Sequence, residues 1–171
     1  MVTRSRVLSA GSYLPARVVT NDELAQRMDT SDEWIRTRTG IEQRRWVREG
    51  ETGADLAHAA SLKALEAAGM APGDVDAIVY ATSSPDHFCP GNGVYLQRAL
   101  GAGQLPALDI RTQCSGFVYG LSVADAWIRS GQFERILVVG QEIQSTGMDV
   151  STEGRHVAVI FADGAGAAVL G

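Results

Sequence analysis

Apolar and polar positions along the chain follow two rhythms. Short, nearly unbroken apolar runs, "VDAIVYAT", "PALDI" and "RILVVG", have the pattern of strands buried on both faces. Between them lie stretches with helical character. "TGADLAHAASLKALEAAG" is alanine-rich and stops at Gly69, where a glycine suits a helix end. "VYLQRALG" predicts a helix ahead of "PALDI", and another is predicted from Cys114 to about Ser130. Nearer the N-terminus, "SRVLSA" reads as a strand. "TNDELAQRM" starts a helix with Thr20 and Glu23 at capping-box spacing. "TSDEWIRTRTG" repeats that signature with Thr30 and Glu33, and Gly40 lies just beyond its end. A polar loop is expected from about Gln141 to Arg155. "HVAVIFA" and "GAAVLG" read as two closing strands, with "GAG" as a turn or bulge between them. Apolar strands interleaved with helices predict a layered α/β fold, a mostly parallel sheet packed with helices. No repeat, low-complexity tract or Pro/Ser-rich linker divides residues 1–171, which are read as one piece.

Composition narrows the class. The chain has 171 residues, 45% of them hydrophobic and 20% charged, enough to bury a real core. Its longest apolar stretch, "VAVIFA", is far short of a membrane span. The opening "MVTRSRVLSAGSYL" has basic residues but no long apolar region, so a secretory signal is not expected. Two scattered cysteines, Cys89 and Cys114, make no disulfide framework, and a reducing cytoplasm suits them. A net charge of −5 argues against general nucleic-acid binding. Charge is uneven, however: Arg36, Arg38, Arg44, Arg45 and Arg48 crowd one segment. Such a cluster is either a solvated, salt-bridged face or a seat for a compact polyanion or an acidic protein.

Other chemistry is thin. "DGAGAAVLG" is glycine-rich but lacks the strand, G-x-G-x-x-G and helix order of a dinucleotide site. His87 and Cys89 are two candidate ligands, too few for a metal site, so none is expected.

Cys114, in "TQCSGFVYGL", follows the strand "ALDI" and heads a helix. There its thiol would lie near unpaired backbone N–H groups and the positive helix end, which favour a thiolate. The same N–H groups can stabilise the oxyanion formed when a thioester carbonyl is attacked. A free cysteine is also commonly a small buried hydrophobe, and the local pattern leaves both readings open. The next turns, "GFVYGL", are apolar or small all round, whereas Ser122, Asp125 and Arg129 form a polar stripe further on. That predicts a helix start covered on both sides, a thiol set deep and reached by a tunnel, and an apolar patch where one cover is lacking.

Three motifs, "TSDEWIRTRTGIEQRRW", "CSGFVYGLSVADAWI" and "FADGAGAAVL", in this order, resemble β-ketoacyl-acyl-carrier-protein synthase III of the thiolase superfamily. The resemblance covers the chain from "GSYLP" to "GAGAAVL" and implies a thiolase-like fold, of which residues 1–171 form the N-terminal half. It implies a condensing acyltransferase. An acyl group passes from acyl-coenzyme A to Cys114 and is condensed with malonyl-acyl-carrier-protein, starting fatty-acid synthesis without a resident cofactor. It also implies a cytoplasmic homodimer. Trp34 and Arg38 fall on positions that hold the coenzyme A adenine, Thr30 on a further coenzyme contact, and Arg155 on an adenine-side arginine. A polyanion with an aromatic base suits a tryptophan among arginines.

Four departures matter. Gln113 stands where the family more often has alanine, and "FADGAG" replaces "FGDGAG". Cys89, beside Phe88, stands where the family usually places a phenylalanine that enters the partner's acyl pocket. Finally, no histidine here matches the family's catalytic His and Asn, expected from a C-terminal half. His58 is read as a surface residue, His87 as a loop residue and His156 as the start of a strand. Two alternatives follow: a related enzyme with longer or different acyl donors, as in polyketide, quinolone or long-chain priming, or a non-catalytic subunit of a heteromer.

Overall fold

The computed structural model describes residues 4–171; Met1 to Thr3 lie outside the described residues. Two compact units emerge. The first comprises residues up to Tyr13, Thr52–Glu142 and Ala165–Gly171; the second comprises Leu14–Glu51 and Ile143–Gly164.

The first unit is built on a five-stranded sheet. Its strands are β1 (Val7–Tyr13), β4 (Ala77–Ala81), β5 (Ala107–Ile110), β6 (Ile136–Glu142) and β7 (Gly164–Leu170), in the order β1-β7-β6-β4-β5. The continuous apolar run of β4 is buried along its whole length, as suits a strand with neighbours on both sides and cover on both faces. It runs parallel to β5 and to β6, with Val79 opposite Leu108 and Val138, while β1 runs antiparallel to β7. Helix α3 (Gly53–Ala68) starts in a full capping box: Thr52 Oγ1 accepts from the Asp55 N–H at 3.2 Å, and Asp55 accepts from the Thr52 N–H at 2.9 Å. It ends at Gly69 in the left-handed region, φ 66°. Helix α4 spans Asn92–Leu100, and α5 spans Gly116–Arg129. Helix α5 lies close on the sheet through Gly116, Gly120, Ala124 and Ile128. A methyl at Gly120 would meet Val138 Cγ1 at 2.9 Å, so the glycine sets the depth of approach.

The second unit has a two-stranded antiparallel ribbon, β2 (Arg17–Thr20) with β3 (Gln43–Trp46), and helices α1 (Asn21–Ala25), α2 (Asp32–Thr39) and α6 (Arg155–Ala158). Val19, Leu24, Met28, Ile35, Trp46, Ala158 and Val159 form its core.

Several expectations need correction. "HVAVIFA" does not form a strand: its first residues make α6, so His156 sits on a helix. "GAG" is not a turn but the start of β7. The helix N-cap is Ser31 rather than Thr30; Ser31 Oγ accepts from the Trp34 N–H at 3.0 Å. His58 lies on α3 and is half-buried. The ribbon of β2 and β3 had no counterpart in the sequence reading.

Candidate active site

Cys114 sits in a single 3₁₀ turn, Gln113–Ser115, between β5 and α5. Gln113 has φ 48°, the left-handed region that side-chain-bearing residues disfavour by roughly 1–2 kcal/mol. Strain therefore adjoins the cysteine on its N-terminal side. On the other side, Ser115 turns its hydroxyl back to the Thr112 carbonyl at 2.8 Å, and no side chain caps α5. The helix start is left to backbone N–H groups. The thiol is free and exposed. The depth expected of the thiol depended on cover on both sides of the helix, and within the described residues that cover is present on one side only. The apolar helix start is covered on the sheet side only, leaving Val118 67% and Tyr119 57% exposed, which is the expected uncovered patch.

Three of the four residues matched to a coenzyme site come together in the second unit. The guanidinium carbons of Arg38 and Arg155 lie 4.4 and 4.8 Å from the centroid of the Trp34 ring, and the His156 ring lies 5.8 Å from it. Helix α2 carries Trp34 and Arg38 one turn apart, so the arginine reaches back over the ring. Helix α6 brings Arg155 from far along the chain. Arg155 donates to the Asp29 main-chain carbonyl and stands 3.7 Å from the Asp29 carboxylate. Thr30 does not join through a visible bond. Its hydroxyl is buried without a partner, as is Arg155 Nε. Arg38 forms no ion pair among the described residues.

The loop bearing Phe88 and Cys89, in the first unit, has a firm base and an open tip. At the base, Asp86 accepts from the Gly53 and Ala54 N–H groups, both at 2.8 Å, so a loop carboxylate serves the free amides at the start of α3. Asn92 donates to Asp86 at 3.0 Å and to the Tyr80 hydroxyl at 3.3 Å. Tyr80 is buried, and that burial pushes its hydroxyl pKa well up, keeping it neutral. At the tip Phe88 is 80% exposed and Cys89 is exposed and free. Arg111 lies 5.6 Å from the Phe88 ring, and a cavity of about 140 Å³ opens between this loop and the end of β5.

The structural roles of two residues, Asp163 and the cluster member Arg44, escaped the sequence reading. Asp163 is buried and accepts from the N–H groups of Val47, Gln144 and Ser145 at 2.8, 2.8 and 2.9 Å, and from the Ser145 hydroxyl. The aspartate of "FADGAG" is thus a hub for loops of the second unit, and its place in a glycine-rich motif was the available signal. Arg44 is 5% exposed and donates to Asn21, which in turn donates to Asp32. Burial lowers its pKa. One arginine of the cluster is therefore structural. Among the described residues, no group of three or more His, Cys, Asp or Glu side chains is placed to hold a metal ion.

The family described as 3-oxoacyl-acyl-carrier-protein synthase III matches residues 108–171. A β-ketoacyl-acyl-carrier-protein synthase III from Granulibacter bethesdensis is 52% identical over 167 residues, 98% of this chain and 51% of that protein. The one from Laribacter hongkongensis is 46% identical over 167 residues, 98% of this chain and 52% of that protein. Among solved structures, 3-oxoacyl-acyl-carrier-protein synthase III from Aquifex aeolicus superposes with a TM-score of 0.93 at 42% identity, covering 97% of this chain and 53% of that one. The priming β-ketosynthase of the R1128 polyketide pathway gives 0.93 at 39% identity, covering 100% and 51%. The fold is that of the thiolase-like condensing enzymes. Within that class the chain is similar to β-ketoacyl-acyl-carrier-protein synthase III proteins along nearly all of its own length, and it spans about half the length of the curated relatives it matches.

Proposed function

We propose that residues 1–171 are the N-terminal half of a condensing acyltransferase that starts fatty-acid chains from acyl-coenzyme A and malonyl-acyl-carrier-protein. The observation that carries the reading is the exposed Cys114 thiol at a strand-to-helix junction whose helix start has no side-chain cap. The Cys114 thiolate attacks the thioester carbonyl of acyl-coenzyme A. A carbon–sulfur bond forms, backbone N–H groups hold the oxyanion, and the coenzyme A thiolate leaves. Malonyl-acyl-carrier-protein then loses carbon dioxide. The carbanion attacks the acyl-Cys114 carbonyl, forming a carbon–carbon bond and releasing the thiolate. A histidine and an asparagine from the other half stabilise the enolate oxygen. No resident cofactor takes part.

Trp34 stacks the adenine, Arg38 and Arg155 serve the phosphates and ring, and Thr30 offers its unpartnered hydroxyl. The exposed arginines of the cluster attract the acidic carrier protein. Phe88 and Cys89 shape the acyl pocket across a homodimer, and the protein works in the cytoplasm.

A second reading has support of its own. The R1128 enzyme primes a polyketide, and Cys89 is a smaller side chain than the family's usual phenylalanine at that position. On this reading the preferred acyl group is longer than acetyl. One experiment tests both: intact-mass measurement of the full protein after exposure to acyl-coenzyme A donors of increasing chain length. A mass gain of one acyl group, absent in Cys114→Ala, supports acyl transfer, and the donor giving the fastest gain identifies the primer. An unmodified cysteine with every donor would turn the reading to a non-catalytic subunit.

A further inference from the structure

We infer that Asp29 sets the affinity of the Trp34 face for its nucleotide by holding Arg155 across it, an inference that rests on the coenzyme A reading of that face. With its guanidinium carbon 4.8 Å from the ring centroid, Arg155 is already in contact with Trp34. A planar base between ring and guanidinium needs two stacking gaps of about 3.5 Å each, or about 7 Å in all. The present arrangement has no such gap, so a nucleotide stacked on this face displaces Arg155 outward.

The anchor that resists displacement is Asp29. Its main-chain carbonyl accepts from Arg155 Nη1, and its carboxylate lies 3.7 Å from the same nitrogen. A second tie joins the same two segments, since the Asp29 N–H donates to Thr152 Oγ1 at 2.9 Å. The hold is incomplete, because Arg155 Nε is buried with no acceptor. A buried donor without a partner is unfavourable, which biases the guanidinium towards an anion that can use it. A polyanionic nucleotide therefore competes with the Asp29 carboxylate for Arg155. Asp29 is a positioning residue: its carboxylate holds Arg155 on Trp34 in the empty site and weakens binding by the amount of that competition.

The test is calorimetric titration of the full protein with adenosine 3′,5′-bisphosphate. Asp29→Asn keeps the main-chain carbonyl and the side-chain size and removes only charge. The Asp29 side chain is 88% exposed, so the variant keeps its fold. The expected result is binding about two- to fivefold tighter at low salt, the range of an exposed pair, with the gain shrinking as salt rises. Equal or weaker binding by Asp29→Asn, with binding still lost in Trp34→Ala, overturns the Asp29 hold and leaves the nucleotide reading intact. No binding by the parent protein, or none lost in Trp34→Ala, removes both.

Discussion

Two tryptophans of the second unit each lie within reach of two arginines, and they are put to different ends. Trp46 is 4% exposed, with Arg17 and Arg27 at 5.2 and 5.9 Å from its ring. Both arginines are tied to one carboxylate, Glu23, at 2.6 and 3.4 Å. Trp34 is only partly buried and its arginines are closer; Arg155 has the exposed Asp29 carboxylate at 3.7 Å, and Arg38 has no carboxylate among the described residues. The difference is neutralisation. Where a carboxylate satisfies the guanidinium groups, aromatic and cations close into a fold element. Where one of two guanidinium groups is left without a carboxylate, the same chemistry leaves positive charge on an accessible ring, which is what a polyanionic base needs.

The sharpest break of this comparison exchanges stability for binding. Trp46→Ala should cost about 3–5 kcal/mol in denaturant unfolding, the usual loss for a buried tryptophan. Trp34→Ala should cost about 1 kcal/mol or less yet abolish adenosine 3′,5′-bisphosphate binding in calorimetry. Equal stability losses would show that both rings are structural. Next in size, Arg38→Ala should weaken bisphosphate binding roughly tenfold, the scale of a desolvated cation–π contact with charge, whereas Arg17→Ala should leave it unchanged. Parallel losses in the two variants would mean a diffuse basic surface instead of a site. Smallest of all, Glu23→Gln should lower unfolding stability by about 1 kcal/mol or less, with bisphosphate affinity unaltered. A rise in affinity there would mean that Arg17 and Arg27, once freed, also reach the ligand.

What the sequence revealed tracks how local the determining physics is. Strands β4, β5 and β6 and the capped helix α3 were legible because unbroken apolar runs and caps act over a few residues. Trp34, Arg38 and Arg155 were matched by motif, and the fold brings them to one ring. In the ribbon, arginines in "RVVT" and "QRRW" break the apolar alternation that a strand reading relies on. In "TSDE" two adjacent hydroxyl residues can both cap; the choice of Ser31 over Thr30 depends on backbone direction, not composition. "HVAVIFA" carries β-branched residues but turns as a helix, because Ala158 and Val159 are drawn into the core of the second unit. The exposure of Cys114 depends on cover for α5 that these residues do not themselves provide.

The contact between α3 and β1 has one further consequence. Gly11 faces the helix backbone so closely that a methyl would stand 2.4 Å from the Ala64 nitrogen and 2.5 Å from the Ala60 oxygen. Main chain, unlike a flexible side chain, cannot step aside, so no side chain larger than hydrogen fits at this position. Any side chain there would wedge helix from sheet, so this glycine fixes the seat of α3 without touching any reacting group.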